Sequence, residues 1–391
     1  MYVFLIDSYI DDPSKGGPAN VIHEFAKFLT KKGHSVNVVT SDICGEKRLG
    51  FKKKIHDGVK VNYFKTTSLY LAKKNKQLSF GMILWLLSKR ENIELIIINQ
   101  VRGFTPIMLS LARPFLKVPI LLFPFGMSPK KKGLLRSVFD FLFTAPLIKS
   151  CSKIFCQSNS EIREVKKTFN LEDTNSCLKI LPLPVNLDIA PLEIKSSKSQ
   201  DNYLLFLGRL DKNKGIDRII KLFSNLKQHG YNGKLKLCGN DYGDLINIKK
   251  QINQSPIRDQ ISILDPVYDQ KRFNLYQDAD AYVILSKTKE ETSLASLEAL
   301  SMGCPVILNE NLEVPLYDKR EELFYVNNDI LEMLDYDKKI PENEIINIKE
   351  FLEKFKDFNK RQEIFTNARS VFSIDHLGVK FYQEIRSVKG V

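Results

Sequence analysis

Short apolar runs alternate with amphipathic stretches through the first half of the chain. The runs predict strands over residues 2–6, 36–40, 59–64, 95–98, 119–123, 153–156 and 178–181. Between the runs, apolar residues recur at the spacing of one helix face, first at Val21, Ile22, Phe25, Phe28 and Leu29. Strands that alternate with helices indicate βαβ units and a parallel sheet.

The alternation restarts after a polar stretch, residues 190–202, which has the composition of a linker. Strands are predicted over residues 203–207, 234–238, 261–264, 281–285 and 306–308, and helices over 216–228 and within 342–388. The pattern therefore predicts an α/β protein with two doubly wound halves. In such sheets, ligands bind beyond the carboxyl ends of the strands.

Composition narrows the class of protein. The 391 residues are 43% hydrophobic and 27% charged, which excludes a largely disordered chain. No apolar run approaches the roughly 20 residues of a membrane span, and the N-terminus lacks the basic region and cleavage site of a signal peptide. The six cysteines are scattered without a CxxC pair, so reduced thiols in a cytoplasmic protein are expected.

The net charge of +13 comes from the first half of the chain. Residues 1–190 carry 29 basic and 15 acidic side chains, whereas residues 191–391 carry 30 and 31. The basic residues cluster at 52–54, 73–76 and 130–132. Such clusters are commonly a solvated face, but they also suit an anionic membrane or an anionic substrate. Nucleic acid is disfavoured as a partner, because no nucleic-acid-binding motif accompanies the charge.

One basic cluster, Lys130, Lys131 and Lys132, precedes an apolar and aromatic segment, residues 134–143. A basic amphipathic helix of this kind is typical of a membrane interface. Its apolar face would serve equally well as part of the core. We take the three lysines as the candidate membrane contact.

A first candidate for phosphate chemistry follows the predicted strand 203–207. Gly208 and Arg209 end this strand, and Lys214 comes just before the next helix. Arg would offer a fork of donors to phosphate oxygens and Lys a point charge, both near a helix N-terminus. The alternative is a surface turn that carries ordinary basic residues.

A second candidate is a pair of carboxylates, Glu290 and Glu298, with seven residues between them. Glu290 is predicted in a loop and Glu298 in the second turn of a helix that Ser293 caps. Amides at this end of the helix would take a phosphate while the carboxylates take hydroxyls. Two glutamates at this spacing are common by chance, but Gly303 and Pro305 beyond the helix make the motif more specific.

These motifs carry a family resemblance along nearly the whole chain. The chain resembles the family-4 retaining glycosyltransferases, which have the GT-B fold and a Glu-x7-Glu signature. The matching segments are Gly16-Gly17-Pro18, residues 181–182 and 185–188, Gly208-Arg209, Lys214-Gly215, Cys238-Gly239, residues 275–280, Glu290 and residues 298–306. The resemblance implies two Rossmann-like domains facing a central cleft: an acceptor-binding domain, residues 1–190, and a donor-binding domain, residues 200–374. The C-terminal helix, about residues 375–391, is expected to pack back on the first domain.

The same resemblance implies roles for individual residues. Arg209 and Lys214 would grip the donor diphosphate, and Glu290 would take hydroxyls of the transferred sugar; these three are the implied catalytic residues. Glu298 would take the ribose hydroxyls of the nucleotide. The remaining implied donor contacts are Gly17, Gly208, Ser293 and Leu294. Retention implies reaction on one face of the sugar, with a donor phosphate oxygen helping to deprotonate the acceptor.

The chain departs from the family pattern at a few positions. Thr292-Ser293 stands where the family usually has Phe-Gly, and Phe125 where many members have His. Asp278-Ala279-Asp280 spells the Asp-x-Asp motif of metal-dependent transferases, but in this context it is expected to cap a buried strand. No metal and no cofactor are expected, since two cations and a helix dipole would stabilise a leaving diphosphate.

The expected function is that of a metal-independent, retaining hexosyltransferase of cell-surface glycan biosynthesis, such as that of lipopolysaccharide. It would move a sugar from a nucleotide-sugar donor to a lipid-linked or polysaccharide acceptor. The expected location is the cytoplasmic, inner face of the cell membrane, where the enzyme would be held peripherally by anionic lipid. Two alternatives stay open: transfer to a small soluble acceptor, and an inactive GT-B module that binds a partner.

Overall fold

The chain folds into two compact units in the computed structural model. One unit comprises Met1–Pro184 and Ile374–Val391, and the other comprises Val185–Ser373. The described residues are 1–11, 17–44, 47–50, 52–68, 70, 77–126, 134–171, 177–195, 201–267, 269–288 and 292–389, with only the backbone described at 134–136 and 269. The candidate residues Lys130, Lys131, Lys132 and Glu290 therefore lie outside the described residues.

The first unit is built on a sheet of mostly parallel strands. The strands are β1 (Tyr2–Leu5), β2 (Val36–Ser41), β5 (Lys53–His56), β6 (Val59–Phe64), β7 (Leu95–Ile98), β8 (Ile120–Leu122), β9 (Lys153–Cys156) and β10 (Leu178–Ile180), with a separate hairpin of β3 (Ile43–Cys44) and β4 (Lys47–Arg48). Their order is β10-β9-β8-β7-β1-β2-β6-β5, and β5 is antiparallel to β6. Leu95 to Ile98 are all fully buried, as expected for a strand covered on both faces.

Helices cover both faces of this sheet. They are α1 (Gly17–Lys31), α2 (Phe80–Lys89), α3 (Phe104–Leu116), α4 (Leu134–Phe139), α5 (Ala145–Lys149) and α6 (Asn159–Phe169), with a π-helical segment, Asp140–Thr144, between α4 and α5. Ser158 caps α6 by accepting a hydrogen bond from the Glu161 amide. Helices α2, α3, α5 and α6 share one hydrophobic core with the central strands.

The second unit is a parallel sheet with the strand order of a classical dinucleotide-binding fold. The strands are β11 (Tyr203–Leu207), β12 (Lys234–Cys238), β13 (Ile261–Leu264), β14 (Ala281–Ile284), β15 (Val306–Asn309) and β16 (Leu323–Val326), in the order β13-β12-β11-β14-β15-β16. The helices are α7 (Ile216–Gln228), α8 (Leu245–Gln254), α9 (Asp269–Asp278), α10 (Leu294–Ser301), α11 (Asn328–Asp335), α12 (Glu342–Lys354) and α13 (Phe358–Phe372).

A final helix, α14 (Ile374–Lys389), returns the chain to the first unit. Phe381 packs against Phe25 of α1, with ring centroids 4.6 Å apart, and against Phe155 of β9, 5.3 Å apart. Gly378 permits the close approach of α14 to α1, because a methyl group there would lie 2.6 Å from the Phe28 ring. Among the helices within the described ranges, none combines the length and apolarity needed to cross a membrane.

The structure moves the boundaries predicted between the domains. The chain leaves the first unit at Pro184 rather than at 190, because the Val185 amide bonds to the Phe372 carbonyl and Val185 forms a β-bridge to Ser373. Residues 191–195 also pack on the second unit: the Pro191 carbonyl accepts a hydrogen bond from Arg369. The predicted linker therefore begins as part of the second unit, and residues 196–200 lie outside the described part of the chain.

Candidate functional site

The strand order of the second unit locates a ligand site. The order reverses between β11 and β14, since the chain runs outward from β11 to β13 and then returns to β14. In open α/β sheets, ligands bind at such a switch point, beyond the carboxyl ends of the two strands. The segments that follow β11 and β14 here are residues 208–215 and 285–293. They contain all the residues that the sequence predicts for donor chemistry in this unit except Leu294 and Glu298, which lie in the helix that follows.

The segment after β11 leaves the sheet through two glycines in close contact. The Gly208 amide bonds to the Cys238 carbonyl at 3.0 Å, continuing the pairing of β11 with β12. Gly239, with φ +155°, lies against it, and a methyl group at Gly239 would fall 1.7 Å from the Gly208 carbonyl oxygen. The backbone at the end of β11 is therefore fixed by a position that only glycine can occupy.

Arg209 is placed on the surface beside an aromatic ring. Its side chain is 56% exposed, its Nε lies 3.6 Å from the Asp211 carboxylate, and its guanidinium lies 5.2 Å from the Tyr242 ring centroid. Asp211 caps the short 3₁₀ turn Lys212–Lys214 by accepting a hydrogen bond from the Asn213 amide. Arg209 and Lys214 thus flank one capped turn, and most of the Arg209 side chain is accessible to a ligand.

The turn that carries Lys214 is locked to the end of β14. Gly215, with φ +66°, approaches so closely that a methyl group there would lie 1.9 Å from the Leu285 carbonyl oxygen. The Lys287 amide donates to the Asn213 carbonyl at 2.7 Å and joins the two segments directly. The Ser286 carbonyl between them accepts from Arg218 Nη1 at 2.9 Å and from Asn309 Nδ2 at 2.7 Å. The two segments at the switch point therefore form one connected surface.

Helix α10 begins at this surface. Ser293 is its N-cap and its side chain accepts from the Ser296 amide at 3.3 Å, so the predicted cap is confirmed. Leu294 is the first residue of the helix, and Glu298 lies in its second turn, also as predicted. Thr292 bonds through its hydroxyl to the Glu313 carbonyl at 3.3 Å.

Glu298 is a buried carboxylate with two donors. Oε1 lies 3.2 Å from Arg272 Nη2, and Oε2 accepts from the Tyr276 hydroxyl at 3.3 Å. Burial raises the pKa of Glu298 above its usual value, while the charge of Arg272 and the hydroxyl of Tyr276 lower it. Each oxygen has further lone pairs with which to accept ligand hydroxyls. The geometry thus provides a fixed acceptor of hydroxyl hydrogens beside a helix N-terminus.

Arg272 is a site residue that sequence reasoning missed. It lies on α9, four residues before Tyr276, and residues at this spacing share a helix face. Arg272 Nε is buried and has no hydrogen-bond partner among the described residues. The sequence signal that could have identified Arg272 is its position beside the matching segment 275–280. Arg272 lies one helical turn before Tyr276, so both residues lie on one face of α9.

The remaining predicted residues have separate surroundings. Gly17 is the first residue of α1 in the first unit, and a methyl group there would have nothing within 4 Å. The Asp278 carboxylate binds Lys195 Nζ at 2.8 and 2.9 Å, and the Asp280 carboxylate accepts from the Tyr231 hydroxyl at 2.7 Å. Both aspartates therefore have structural partners. Within the described part of the chain, no group of three or more His, Cys, Asp or Glu side chains has the arrangement of a metal site.

Comparisons with known proteins identify the class to which this fold and site belong. Two Rossmann-like units, one with its ligand segments at a β11/β14 switch point, constitute the GT-B fold of glycosyltransferases. Residues 15–188 match the family model Glycosyltransferase Family 4, and residues 191–336 match the model Glycosyl transferases group 1. The chain belongs to glycosyltransferase family 4, as the sequence motifs predict.

One curated relative is the mannosylfructose-phosphate synthase of Agrobacterium fabrum. It is 30% identical over 112 residues, which are 27% of this chain and 24% of the relative. The match thus spans about a quarter of that relative's length.

Solved structures match over the full length at low sequence identity. Sucrose-phosphate synthase from Thermosynechococcus elongatus has a TM-score of 0.74 at 14% identity, covering 100% of this chain and 99% of that one. Anabaena HepE, solved with UDP and also with UDP-glucose, has a TM-score of 0.73 in the UDP complex at 13% identity, covering 99% of both chains. WaaG, a glycosyltransferase involved in lipopolysaccharide biosynthesis, has a TM-score of 0.65 at 15% identity and covers 100% of both chains.

Proposed function

We propose that this protein is a retaining, metal-independent glycosyltransferase that moves a hexosyl group from a nucleotide sugar to a lipid-linked or polysaccharide acceptor at the inner face of the cell membrane. The observation that carries the proposal is Glu298, a buried carboxylate held by Arg272 and Tyr276 one turn inside α10. A purely structural role would not require a carboxylate in this position, because burying an ion is costly unless something is gained.

The donor would bind across the two segments at the switch point. Glu298 accepts the ribose hydroxyls, and the amides at the start of α10 face the diphosphate. Arg209 and Lys214 supply positive charge where negative charge develops on the leaving nucleoside diphosphate, which is the largest single contribution that such a site makes to catalysis. Glu290 is assigned to the hydroxyls of the transferred sugar. UDP and UDP-glucose in the HepE structures make a uridine nucleotide the first donor to test.

The surface of the first unit supports an acceptor held in a membrane. Among the described side chains, seven large apolar ones are exposed on α2, α3 and the segment from α4 through the π-helical turn. We call them the apolar face: Phe80, Leu84, Leu111, Phe115, Val138, Phe141 and Leu142. Helix α3 packs against both α2 and the π-helical turn, so the elements that carry these side chains are neighbours. An exposed apolar surface of this kind marks an interaction site.

Exposed basic side chains lie on the same part of the chain as the apolar face. They include Lys89 on α2, Arg113 on α3, Lys117 directly after α3 and Lys149 on α5. The basic cluster 130–132, although outside the described residues, directly precedes α4 in the sequence. Apolar side chains surrounded by cations suit the interface of an anionic bilayer, where each lysine contributes about 1 kcal/mol.

A soluble acceptor is the second candidate function. Sucrose-phosphate synthase and mannosylfructose-phosphate synthase are named for small phosphorylated sugars as products, and both are similar to this chain. The apolar face favours the lipid-linked acceptor over this alternative. Metal-independence is supported by the partners of Asp278 and Asp280, because Lys195 and Tyr231 already bind the carboxylates of this Asp-x-Asp motif.

A screen of nucleotide sugars tests the proposal. One nucleotide sugar should raise the melting temperature of the wild type and be turned over in the presence of EDTA. Arg209→Ala should lower the rate about 10²-fold, the cost of one preorganised donor to a developing charge. Lys212→Ala, in the same turn, is the matched control and should turn over normally. Wild-type rates in both Arg209→Ala and Lys214→Ala, or activity that needs added Mg²⁺, would refute the mechanism.

A further inference from the structure

The first unit has a switch point of its own. Its strand order reverses between β1 and β7, because β2 and β6 lie on one side of β1 and β7 to β10 on the other. The segments that leave the sheet there carry Asp7, two residues after the end of β1, and Asn99 and Gln100, directly after β7. By the rule that located the donor site, these residues stand where a ligand of the first unit would bind.

Two side-chain amides at this switch point, those of Asn99 and Gln100, each have a polar atom whose hydrogen-bonding capacity is not used within the described residues. Asn99 is 6% exposed and Gln100 is 8% exposed. Among the residues that the structure describes, neither Asn99 Oδ1 nor Gln100 Nε2 has a hydrogen-bond partner, and both atoms are buried. A buried amide group without a hydrogen-bond partner destabilises the folded protein. Such a group is therefore expected to bind something other than the chain itself, such as a ligand. One atom is an acceptor and the other a donor, which are the two roles that a hydroxyl group complements.

A carboxylate and a glycine complete the arrangement. A methyl group on Gly103 would lie 3.2 Å from Gln100 Nε2 and 3.3 Å from Asp7 Oδ2, so both polar atoms border the same backbone position. Gly103 has φ +151°, which favours glycine, and it immediately precedes α3. Asp7 is held in place, since its carbonyl accepts from Ser41 Oγ at 2.5 Å and its carboxylate accepts from the Thr105 hydroxyl.

The cation that directly precedes Gly103 is already neutralised. Arg102 forms a bidentate pair with Asp140, with Nε and Nη2 each 2.8 Å from a carboxylate oxygen, and its guanidinium lies over the Phe169 ring. An anionic group placed at this point would therefore meet the Asp7 carboxylate rather than an available guanidinium. The neighbouring amides favour a neutral ligand rich in hydroxyls.

We propose that Asp7, Asn99 and Gln100 form a binding site for the neutral hydroxyls of a sugar acceptor. The inference rests on the proposed function only in calling the bound sugar an acceptor. Sugar binding at this site can be measured without turnover. The site selects an uncharged sugar rather than the phosphate of a sugar phosphate. It therefore distinguishes a glycan or glycolipid acceptor from the phosphorylated acceptors of the second candidate function.

The test compares two buried glutamines. Gln100→Met removes the amide that lacks a partner, and Gln77→Met removes one that bonds to Ser8 and Ser41. Because Gln100 Nε2 has no hydrogen-bond partner in the described part of the chain, Gln100→Met should leave the melting temperature unchanged or raise it. Gln77→Met should lower it. A lower melting temperature for Gln100→Met would assign the amide a structural role and overturn the proposal.

Binding is measured directly by ligand-observed NMR. The probes are methyl glycosides of glucose, galactose, mannose, rhamnose and N-acetylglucosamine, with glucose 6-phosphate as the anionic probe. At least one methyl glycoside should bind saturably, with an affinity about tenfold lower in Gln100→Met, the value of one hydrogen bond. Saturable binding of no glycoside, equal affinity in the variant, or tighter binding of glucose 6-phosphate would each overturn the site.

A parallel titration with UDP separates the two proposals. UDP should bind Gln100→Met and the wild type equally, because Gln100 belongs to the first unit. Absence of UDP and nucleotide-sugar binding in the wild type would refute the proposed function while the sugar titration still decides this inference.

Discussion

At the scale of single residues, Glu298 illustrates how a buried charge is used. Its carboxylate keeps a raised pKa because burial outweighs the help of Arg272 and Tyr276. A carboxylate must be ionised to accept two ribose hydroxyls at once. In the proposed donor site, Arg272 would therefore be a positioning residue, acting on the donor through the protonation and orientation of Glu298.

This role predicts a pH dependence of nucleotide binding. Affinity should be full above the Glu298 pKa and fall as the pH drops through it, because the protonated acid accepts less well. Arg272→Met removes the cation that lowers this pKa, so the acidic limb should move to higher pH. The measurement is the Kd of UDP against pH. Glu298→Gln, which cannot titrate, should lack the limb altogether, and an unchanged midpoint in Arg272→Met would contradict the role.

At the scale of elements, the turn Lys212–Lys214, which follows β11, is held against the end of β14. This contact fixes the surface on which we propose that the donor binds. Gly215 is the closest point of that contact, since its missing side chain leaves room for the Leu285 carbonyl. Gly243 offers a comparison within the same unit, because it also has positive φ, +96°, but nothing lies within 4 Å of the methyl group it would acquire.

Substituting these two glycines should separate backbone strain from steric conflict. Gly243→Ala should lower the free energy of unfolding by about 1 kcal/mol, the strain of a left-handed alanine. Gly215→Ala should lower the free energy of unfolding by about 3 kcal/mol or more. The added methyl group would also force the turn before Gly215 away from the Leu285 carbonyl. Urea unfolding gives both values, and UDP affinity should fall only in Gly215→Ala. Equal losses of stability would show that the close approach contributes nothing.

The sequence predicts elements best where burial is uniform. Strands such as β7 and β14 are continuous apolar runs, so their existence and the α/β fold were correctly predicted. The edge strand β16 was not, because Tyr325 is partly exposed and the run is only four residues long. The helical region 342–388 was predicted as a whole, but its breaks depend on local caps, such as Asp357 accepting from the Lys360 amide.

The candidate site was predictable only in part. Gly208, Arg209, Lys214, Ser293 and Glu298 follow from motifs, because each lies at a strand end or a helix start. Which side chains meet across elements does not follow from local pattern. The pairing of Arg272 with Glu298, and the unmade hydrogen bonds of Asn99 and Gln100, are results of tertiary packing, for which a single sequence carries no periodic signal. The roles of the motif residues in donor binding stay predictions.

At the scale of the whole molecule, the asymmetry of charge coincides with an asymmetry of exposed apolar surface. The net positive charge and the apolar face both belong to the first unit. A surface that combines the two should bind anionic bilayers by two separable forces, of which only the electrostatic one is screened by salt.

Vesicle co-sedimentation measures these two forces separately. Phe115→Ser with Phe141→Ser removes side chains that are 62% and 76% exposed and should weaken binding at every salt concentration. The Lys130/Lys131/Lys132→Gln variant should weaken binding to anionic vesicles chiefly at low salt. Leu192→Ser with Ile246→Ser, two exposed apolar residues of the second unit, is the control and should bind normally. Wild-type binding by the Phe115/Phe141 variant would exclude the apolar face as the membrane contact. Transfer to a soluble acceptor would then become the favoured hypothesis.

The return of α14 to the first unit also sets an order of events during synthesis on the ribosome. Residues 185–373 emerge after the sheet of the first unit but before the helix that covers Phe25 and Phe155. The second unit has all its strands available and folds while the first still exposes an aromatic surface. The nascent first unit therefore lacks the packing of Phe381 on Phe25 and Phe155 until residues 374–389 have been synthesised.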